Sequence, residues 1–273
     1  MGTFIQWKNF EALLPYANMF KEGLITTVLL ALFTVLIGFV LGLLLSVMRM
    51  SNIRPFLWLA HAFPDTFGFF ERDRNGMLRD SGFLYHLGRF NPLSFLATAY
   101  VEVIRSTPVL VQVMVIYFGV FSQLFSLPSF KIFGFIAFNR FFPGVVALAM
   151  NSGAYLCEII RSGLQSVEGG QTEAARSLGL SQLQNMRFII LPQALKNILP
   201  AIANEFVTII KESAITYNIG VQDIMAMVQA IKSATYIIME PLLVATALYF
   251  CLCFPLSKLI AYIERRMSRG DRR

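Results

Sequence analysis

Glu173-Ala174-Ala175-Arg176-Ser177-Leu178-Gly179, followed by Ile189-Ile190-Leu191-Pro192, is the one polar island in the second half of an otherwise apolar chain. Gln171 to Leu178 reads as a short amphipathic helix. Gly179 falls where a left-handed cap residue belongs. Ser181 opens a second helix with Gln184 three residues later, the spacing of a capping box. Pro192 is expected to end that helix and turn the chain into the next apolar run. The expectation is two short helices joined at a glycine bend and lying along a membrane face. Ala174 and Ala175 offer a close-contact surface, and Glu173 and Arg176 offer charge-assisted hydrogen bonds to a partner or to each other. An ordinary re-entry loop between two spans fits the same spacing.

The apolar runs around the island set the solvent. The 273 residues are 56% hydrophobic and only 14% charged, against about 25% charged in an average soluble chain. Such a chain is short of surface unless lipid covers it. The net charge of +7 does not point to nucleic acid, because Arg265, Arg266, Arg269, Arg272 and Arg273 form a tail directly behind an apolar run, as a positive-inside anchor does. Cys157, Cys251 and Cys253 lie inside apolar stretches, with no spacing for a metal site or a disulfide framework. No basic cluster precedes the first apolar run and no small-residue cleavage site follows it, so no removable signal peptide is expected.

Five spans are expected, at about Leu24 to Met48, Leu93 to Leu124, Phe141 to Ile160, Ala194 to Ile210 and Pro241 to Ile263. The first runs about 25 residues without a charge, enough to cross about 30 Å of hydrocarbon with some tilt, and the set makes this an all-α membrane protein. Within the first span Thr34, Gly38, Gly42 and Ser46 recur every four residues and share one face, a stripe that lets another helix approach closely. Pro108 is expected to bend the second span, and the freed backbone must find partners in protein. Residues 1–22 read as a segment lying in the interface, with Ile5, Trp7, Phe10, Leu13 and Leu14 mixed with Lys8 and Glu11. Residues 49–92 form an elaborated connection too charged to span, and 165–192 hold the island. With five spans, sixteen Lys and Arg fall in the connections on one side and six on the other. The positive-inside rule then places the carboxyl terminus and the island in the cytoplasm and the amino terminus outside. The chain reads as a single domain, 1–273, without internal repeats.

The spacing Glu-Ala-Ala, Gly, Ile, Leu-Pro at Glu173-Ala174-Ala175, Gly179, Ile189 and Leu191-Pro192 resembles the Glu-Ala-Ala loop of the membrane subunits of bacterial ABC importers. The wider context is similar to the polar amino-acid permease family. It rests on Arg105-Ser106-Thr107-Pro108-Val109-Leu110-Val111-Gln112, on Ser152-Gly153-Ala154-Tyr155-Leu156-Cys157-Glu158 continuing to Val167, and on Lys211-Glu212-Ser213. The resemblance covers nearly the whole chain apart from part of 53–92. It implies a type I importer fold in the inner membrane, with two permease subunits paired, the same chain twice or this chain with a sister. It implies that Glu173, Ala174, Ala175, Arg176, Gly179 and Leu180 dock on a dimer of ATPase subunits, which bind ATP and Mg, while an extracytoplasmic binding protein delivers a polar amino acid. The chain departs from the family at Glu168-Gly169, where a proline and a basic residue are usual, and in the length of the 53–92 connection.

No catalytic residues, metal ligands or cofactor are expected in this chain. It lacks the Gly-x-x-x-x-Gly-Lys-Ser/Thr loop that cradles phosphates, so ATP hydrolysis is expected elsewhere. Ionisable groups at membrane depth usually face a cavity or a partner, and Glu158, Glu205, Lys211 and Glu212 are the ones to explain. Asn151, Tyr155 and Glu158 share one face of the third span. Glu158 lies three residues before Arg161 and can pair with it, so an internal ion pair and a lining of the solute path both stay open. Lys211, Glu212 and Ser213 end the fourth span and offer both signs of charge to a zwitterion, although a lysine that snorkels to the interface fits Lys211 as well. Gln112, one turn past Pro108, adds a polar contact. A membrane scaffold or integral enzyme would lack an ATPase partner, and so would an ion-coupled transporter, which would usually show an inverted repeat.

Overall fold

The computed structural model describes residues 7–51 and 90–268. Residues 1–6, 269–273 and 52–89, the bulk of the elaborated connection, lie outside that description.

A short helix, α1 (Trp7–Leu13), passes through a turn at Leu14–Tyr16 into α2 (Ala17–Met50), a 34-residue helix with no internal proline. Asn9 Nδ2 donates to Glu240 Oε1 at 2.8 Å and so pins α1 to the far end of the chain. The expected small-residue stripe of α2 is buried along its whole length, Thr34, Gly38, Gly42 and Ser46 included. It packs on α5 (Phe138–Gln165) with almost no side chain between the two backbones. A Cβ added at Gly42 would stand 2.7 Å from Leu156 Cβ and 2.9 Å from Gly153 O. Gly42→Val therefore has to push the two helices apart. We expect it to cost roughly 1–3 kcal/mol, read as a lower thermal unfolding midpoint of the solubilised protein. Gly119→Ala serves as the control, since a Cβ at Gly119 would meet nothing within 4 Å. An unchanged midpoint for Gly42→Val would refute the close packing.

α3 (Pro92–Arg105) and α4 (Val109–Leu124) meet at 108° across Ser106-Thr107-Pro108. This is a corner, far sharper than the bend expected of one long span, because Pro108 is extended (ψ 132°) and caps a new helix rather than kinking an old one. Within α4, Val115–Phe121 is wound as π-helix. Asn91 caps α3 through Ser94 N and donates to Ser51 O, and Ser94 Oγ donates to Arg49 O. The two ends of the elaborated connection are thus stitched together beside the end of α2. A two-stranded hairpin, β1 (Lys131–Ile132) with β2 (Ile136–Ala137), precedes α5 and is the exception to the all-helical expectation. Its turn puts Phe133 and Gly134 at φ 52° and 80°.

After α5 come α6 (Gly169–Ser177) and α7 (Gln182–Asn185). Then α7 runs through a π-turn at Met186–Ile190 straight into α8 (Leu191–Glu212). Pro192 does not end a helix, as expected from its type, but sits in the first turn of α8. The widened turn, in which Leu191 N–H reaches back to Met186 O, makes room for the proline ring. A 3-10 stretch (Ser213–Ile219), a left-handed Gly220, α9 (Ile224–Thr235) and α10 (Met239–Ser268) complete the chain.

Among the described residues, three helical stretches can cross a membrane by length and composition, those in Trp7–Met50, Phe138–Gln165 and Met239–Met267, and a fourth if α3 and α4 count together. α8 is long enough, but Gln193, Lys196, Asn197, Asn204 and Glu205 lower its hydropathy below theirs.

Candidate functional site: the polar hairpin and the polar side chains of the bundle

The island forms a compact hairpin. The end of α6 closes by a Schellman pair, with Gly179 N donating to Arg176 O at 2.9 Å and Leu180 N to Ala175 O at 3.1 Å. Gly179 holds φ 78°, as its cap position requires. The capping box on α7 is complete in both directions, Ser181 N to Gln184 Oε1 and Gln184 N to Ser181 Oγ. Glu173, Ala174 and Arg176 are exposed, but Ala175 is buried inside the hairpin and Leu180 is half-buried. Ala175 therefore holds the hairpin shut and presents nothing to a partner. What the outer surface does present is apolar: Leu178 is 81%, Leu183 77% and Phe188 63% exposed. Sequence reasoning passed over these three. The available signal was a set of large apolar residues inside a polar island, where they cannot be core.

The bundle side chains divide into structural and free. Gln112 Nε2 lies 2.7 Å from Ile104 O and 3.0 Å from Thr107 O, and its Oε1 accepts from Asn151 Nδ2 at 2.9 Å. Gln112 and Asn151 are both buried. They serve carbonyls left without donors at the Pro108 corner, which lipid could not satisfy. Ser213 is buried too and donates to Ile210 O in the last turn of α8. Glu158 is taken up by arginines. It pairs with Arg49 from α2 and with Arg161 at 2.7 Å, and Arg105 from α3 stands 3.9 Å away. Arg105 also lies over the Tyr155 ring at 5.5 Å. The Asn151–Tyr155–Glu158 face is thus an inter-helix polar seam joining α2, α3, α4 and α5.

The more exposed polar surface lies on α8. Asn197, Asn204, Thr208 and Lys211 are spaced by seven, four and three residues and fall on one face. Ala194, Ile198, Ile209 and Ile210 of the same helix are buried elsewhere. Lys211 is exposed and Glu212 half-buried beside it. Glu205, at the edge of this stripe, accepts from Ser152 Oγ of α5 at 3.0 Å. Among the described residues no three His, Cys, Asp or Glu side chains converge as metal ligands.

The described residues thus form a helical bundle with membrane-length apolar helices and a compact polar hairpin set between α5 and α8. The chain belongs to the family described as binding-protein-dependent transport system inner membrane component, whose model matches residues 81–269. It is 34% identical, over 96% of its own length and 99% of the relative's, to the arginine transport system permease protein ArtQ of Bacillus subtilis (strain 168). It is 32% identical to the putative glutamine transport system permease protein GlnP of Rickettsia typhi (strain ATCC VR-144 / Wilmington), covering 90% of this chain and 91% of that one. Among solved structures it is similar to a chain of an amino acid ABC transporter with histidines, with TM-score 0.74 and 38% identity over 94% of this chain and 98% of that one. The fold, and only the fold, is shared with the inward-facing MetNI methionine ABC transporter, with TM-score 0.62 at 18% identity over 93% of this chain and 98% of that chain.

Proposed function

We propose that this chain, as one domain over 1–273, is the permease subunit of an ATP-driven importer of polar amino acids. It crosses the inner membrane five times, with α2, the α3–α4 pair, α5, α8 and α10, so that the amino terminus lies outside and the carboxyl terminus inside. The Lys and Arg distribution supports that orientation. The names of the arginine and glutamine permease relatives support a polar amino acid as solute.

One observation carries the reading. α7, the π-turn and α8 form a continuous helical path from the hairpin to the polar stripe. A partner that grips the hairpin tip at Leu178, Leu183 and Phe188, steered by Glu173 and Arg176, moves the stripe directly. The partner is a dimer of ATPase subunits that holds ATP and Mg, and its closure shifts the bundle between two states. The path is shared with a second permease subunit, and a binding protein loads it from outside. On this chain's side Lys211 and Glu212 meet the two charges of a zwitterion, while Asn204, Thr208 and the Ser152–Glu205 pair line the way. Gln112, Asn151, Glu158 and Ser213 hold the frame around it.

The test is reconstitution with the ATPase and binding protein in proteoliposomes, after a thermal-shift screen of the complex against the twenty amino acids. We expect ATPase retention in mild detergent and ATP-dependent uptake of the amino acid that gives the largest shift. A chain that purifies alone and carries no solute with ATP present would overturn the proposal.

A further inference from the structure

α8 leaves the hairpin and ends at Glu212, so the turn that follows it lies at the end of the bundle away from the hairpin. Asp223 closes that turn and is fully buried. Its Oδ1 caps α9 by accepting from Ala226 N at 2.8 Å, and its Oδ2 has no hydrogen-bond partner among the described residues. The Tyr249 hydroxyl of α10 is buried without a partner too, and Asp223, Ser213 and Thr27 lie around it. Thr27 and Ser213 are themselves fully buried. Thr27 Oγ1 accepts from Ile224 N at 3.3 Å, and a Cβ at Gly23 would stand 3.0 Å from Asp223 O, so α2 closes the third side. The titratable groups on the elements packed here include Glu22 of α2, Arg140 of α5, Lys211 and Glu212 of α8, and Tyr249 and Cys253 of α10. Tyr249 is the one that faces Asp223. Arg140 reaches Ile219 O instead, at 3.5 Å, and among the described residues no cation forms an ion pair with Asp223.

A carboxylate held out of water without a cation is costly, and the start of α9 relieves that cost only in part. Burial prevails and pushes the Asp223 carboxyl up to about 7, against the pull of the Ala226 and Met225 amides. The segment beside it can hinge. Ser213–Ile219 is 7 residues of 3-10 helix, longer than such runs usually hold, and Gly220 ends it at φ 81°. This joint links the end of the polar stripe on α8 to α9. We infer that Asp223 is a proton-operated latch: neutral, it lets α9 seat against α2 and α10, and ionised it loosens that seat. The seated form holds its proton more tightly than a form that opens Asp223 to water. Its advantage is therefore whole below the ordinary carboxyl range, shrinks as the pH climbs toward about 7 and is smallest above it. Only the side of the membrane whose pH is felt rests on the proposed function; the latch itself does not.

Hydrogen–deuterium exchange of the purified full-length chain in detergent reads the latch, with rates corrected for the intrinsic pH dependence of exchange. Protection of the α9 amides should fall about tenfold or more between about pH 5 and about pH 8, while the α2–α5 seam keeps its own. Asp223→Asn preserves the cap, since asparagine caps as well as aspartate, but does not titrate. Its α9 protection should be equal at both values. Tyr249→Phe takes away a hydroxyl that the ionised carboxyl can draw on, and should deepen the fall. Wild-type protection that ignores pH, an Asp223→Asn variant that falls as wild type does, or a Tyr249→Phe variant with a shallower fall overturns the inference. In proteoliposomes the pH is then changed on one face at a time. A fall that follows the outer face supports the latch in the proposed orientation. A fall that follows the inner face keeps the latch and overturns the orientation instead.

Discussion

Gly179→Val will leave the protein folded and inserted but will lower ATP-driven uptake by about an order of magnitude while ATP turnover continues. The reason is conformational and local. A Cβ at Gly179 would meet nothing within 4 Å, so valine does not clash with the rest of the chain. It meets its own backbone instead, because φ is 78° there. A left-handed conformation costs an ordinary residue roughly 1–2 kcal/mol, and a β-branched one more. The bend relieves this by opening. The bonds from Gly179 N to Arg176 O and from Leu180 N to Ala175 O are then lost, and with them the fixed angle between α6 and α7. Leu178, Leu183 and Phe188 no longer form one gripping surface, so closure of the partner stops reaching α8. About 1.4 kcal/mol of lost coupling is a factor of ten. Gly179→Asn is the informative control, since asparagine tolerates the left-handed region and should keep most of the uptake. The measurement is uptake and ATP turnover on the same proteoliposomes. Undiminished uptake by the valine variant would show that the hairpin angle does not matter.

That glycine was legible in the sequence because everything it needs is within a few residues. Caps, glycine bends and a capping box at Ser181 and Gln184 are short-range objects. The Thr34–Gly38–Gly42–Ser46 stripe was legible for a related reason, since small residues at helical spacing can serve only a close neighbour. The α3–α4 corner was half legible. Pro108 announced a break, but a proline does not state an angle, and 108° depends on Gln112 and Asn151 being there to satisfy the corner. Pro192 misled, because its usual effect on a helix was cancelled by a π-turn with no sequence mark of its own. The hairpin at 131–137 went unseen because its strands have two residues each and one of its turn positions is Phe133, a poor residue for positive φ. The surroundings of Glu158 could not be read at all beyond Arg161. Arg49 lies 109 residues away in sequence and meets Glu158 only through the packing of α2 on α5.

Glu158 is for that reason the place where the sequence left two readings open, and the two predict different measurements. The structure surrounds one carboxylate with Arg49, Arg105 and Arg161, and Arg49 and Glu158 expose only 17% and 18% of their side chains. The next acid, Glu102, is 4.0 Å from Arg49 and 65% exposed, so it is a weak substitute. Glu158→Ala leaves three guanidinium groups facing one another, with little water to screen Arg49 and more at Arg161 and Arg105, which are 30% and 41% exposed. Removing one partner from such a buried group costs on the order of 3 kcal/mol, much of it the penalty of stranding the remaining charge. The expected result is a clearly lower unfolding midpoint with or without solute. Arg49→Met combined with Glu158→Ala should be less destabilised than the sum of the two single changes, because the second change removes a charge the first had stranded. A carboxylate that lined the solute path would behave otherwise. Its loss would raise the solute concentration needed for half-maximal uptake and leave the midpoint of the empty protein in place. The arginine cluster joins α2, α3 and α5 at one point, so it supplies the fixed frame against which α8 and its polar stripe can move. A midpoint that does not fall in Glu158→Ala would dissolve that frame and return Glu158 to the solute path.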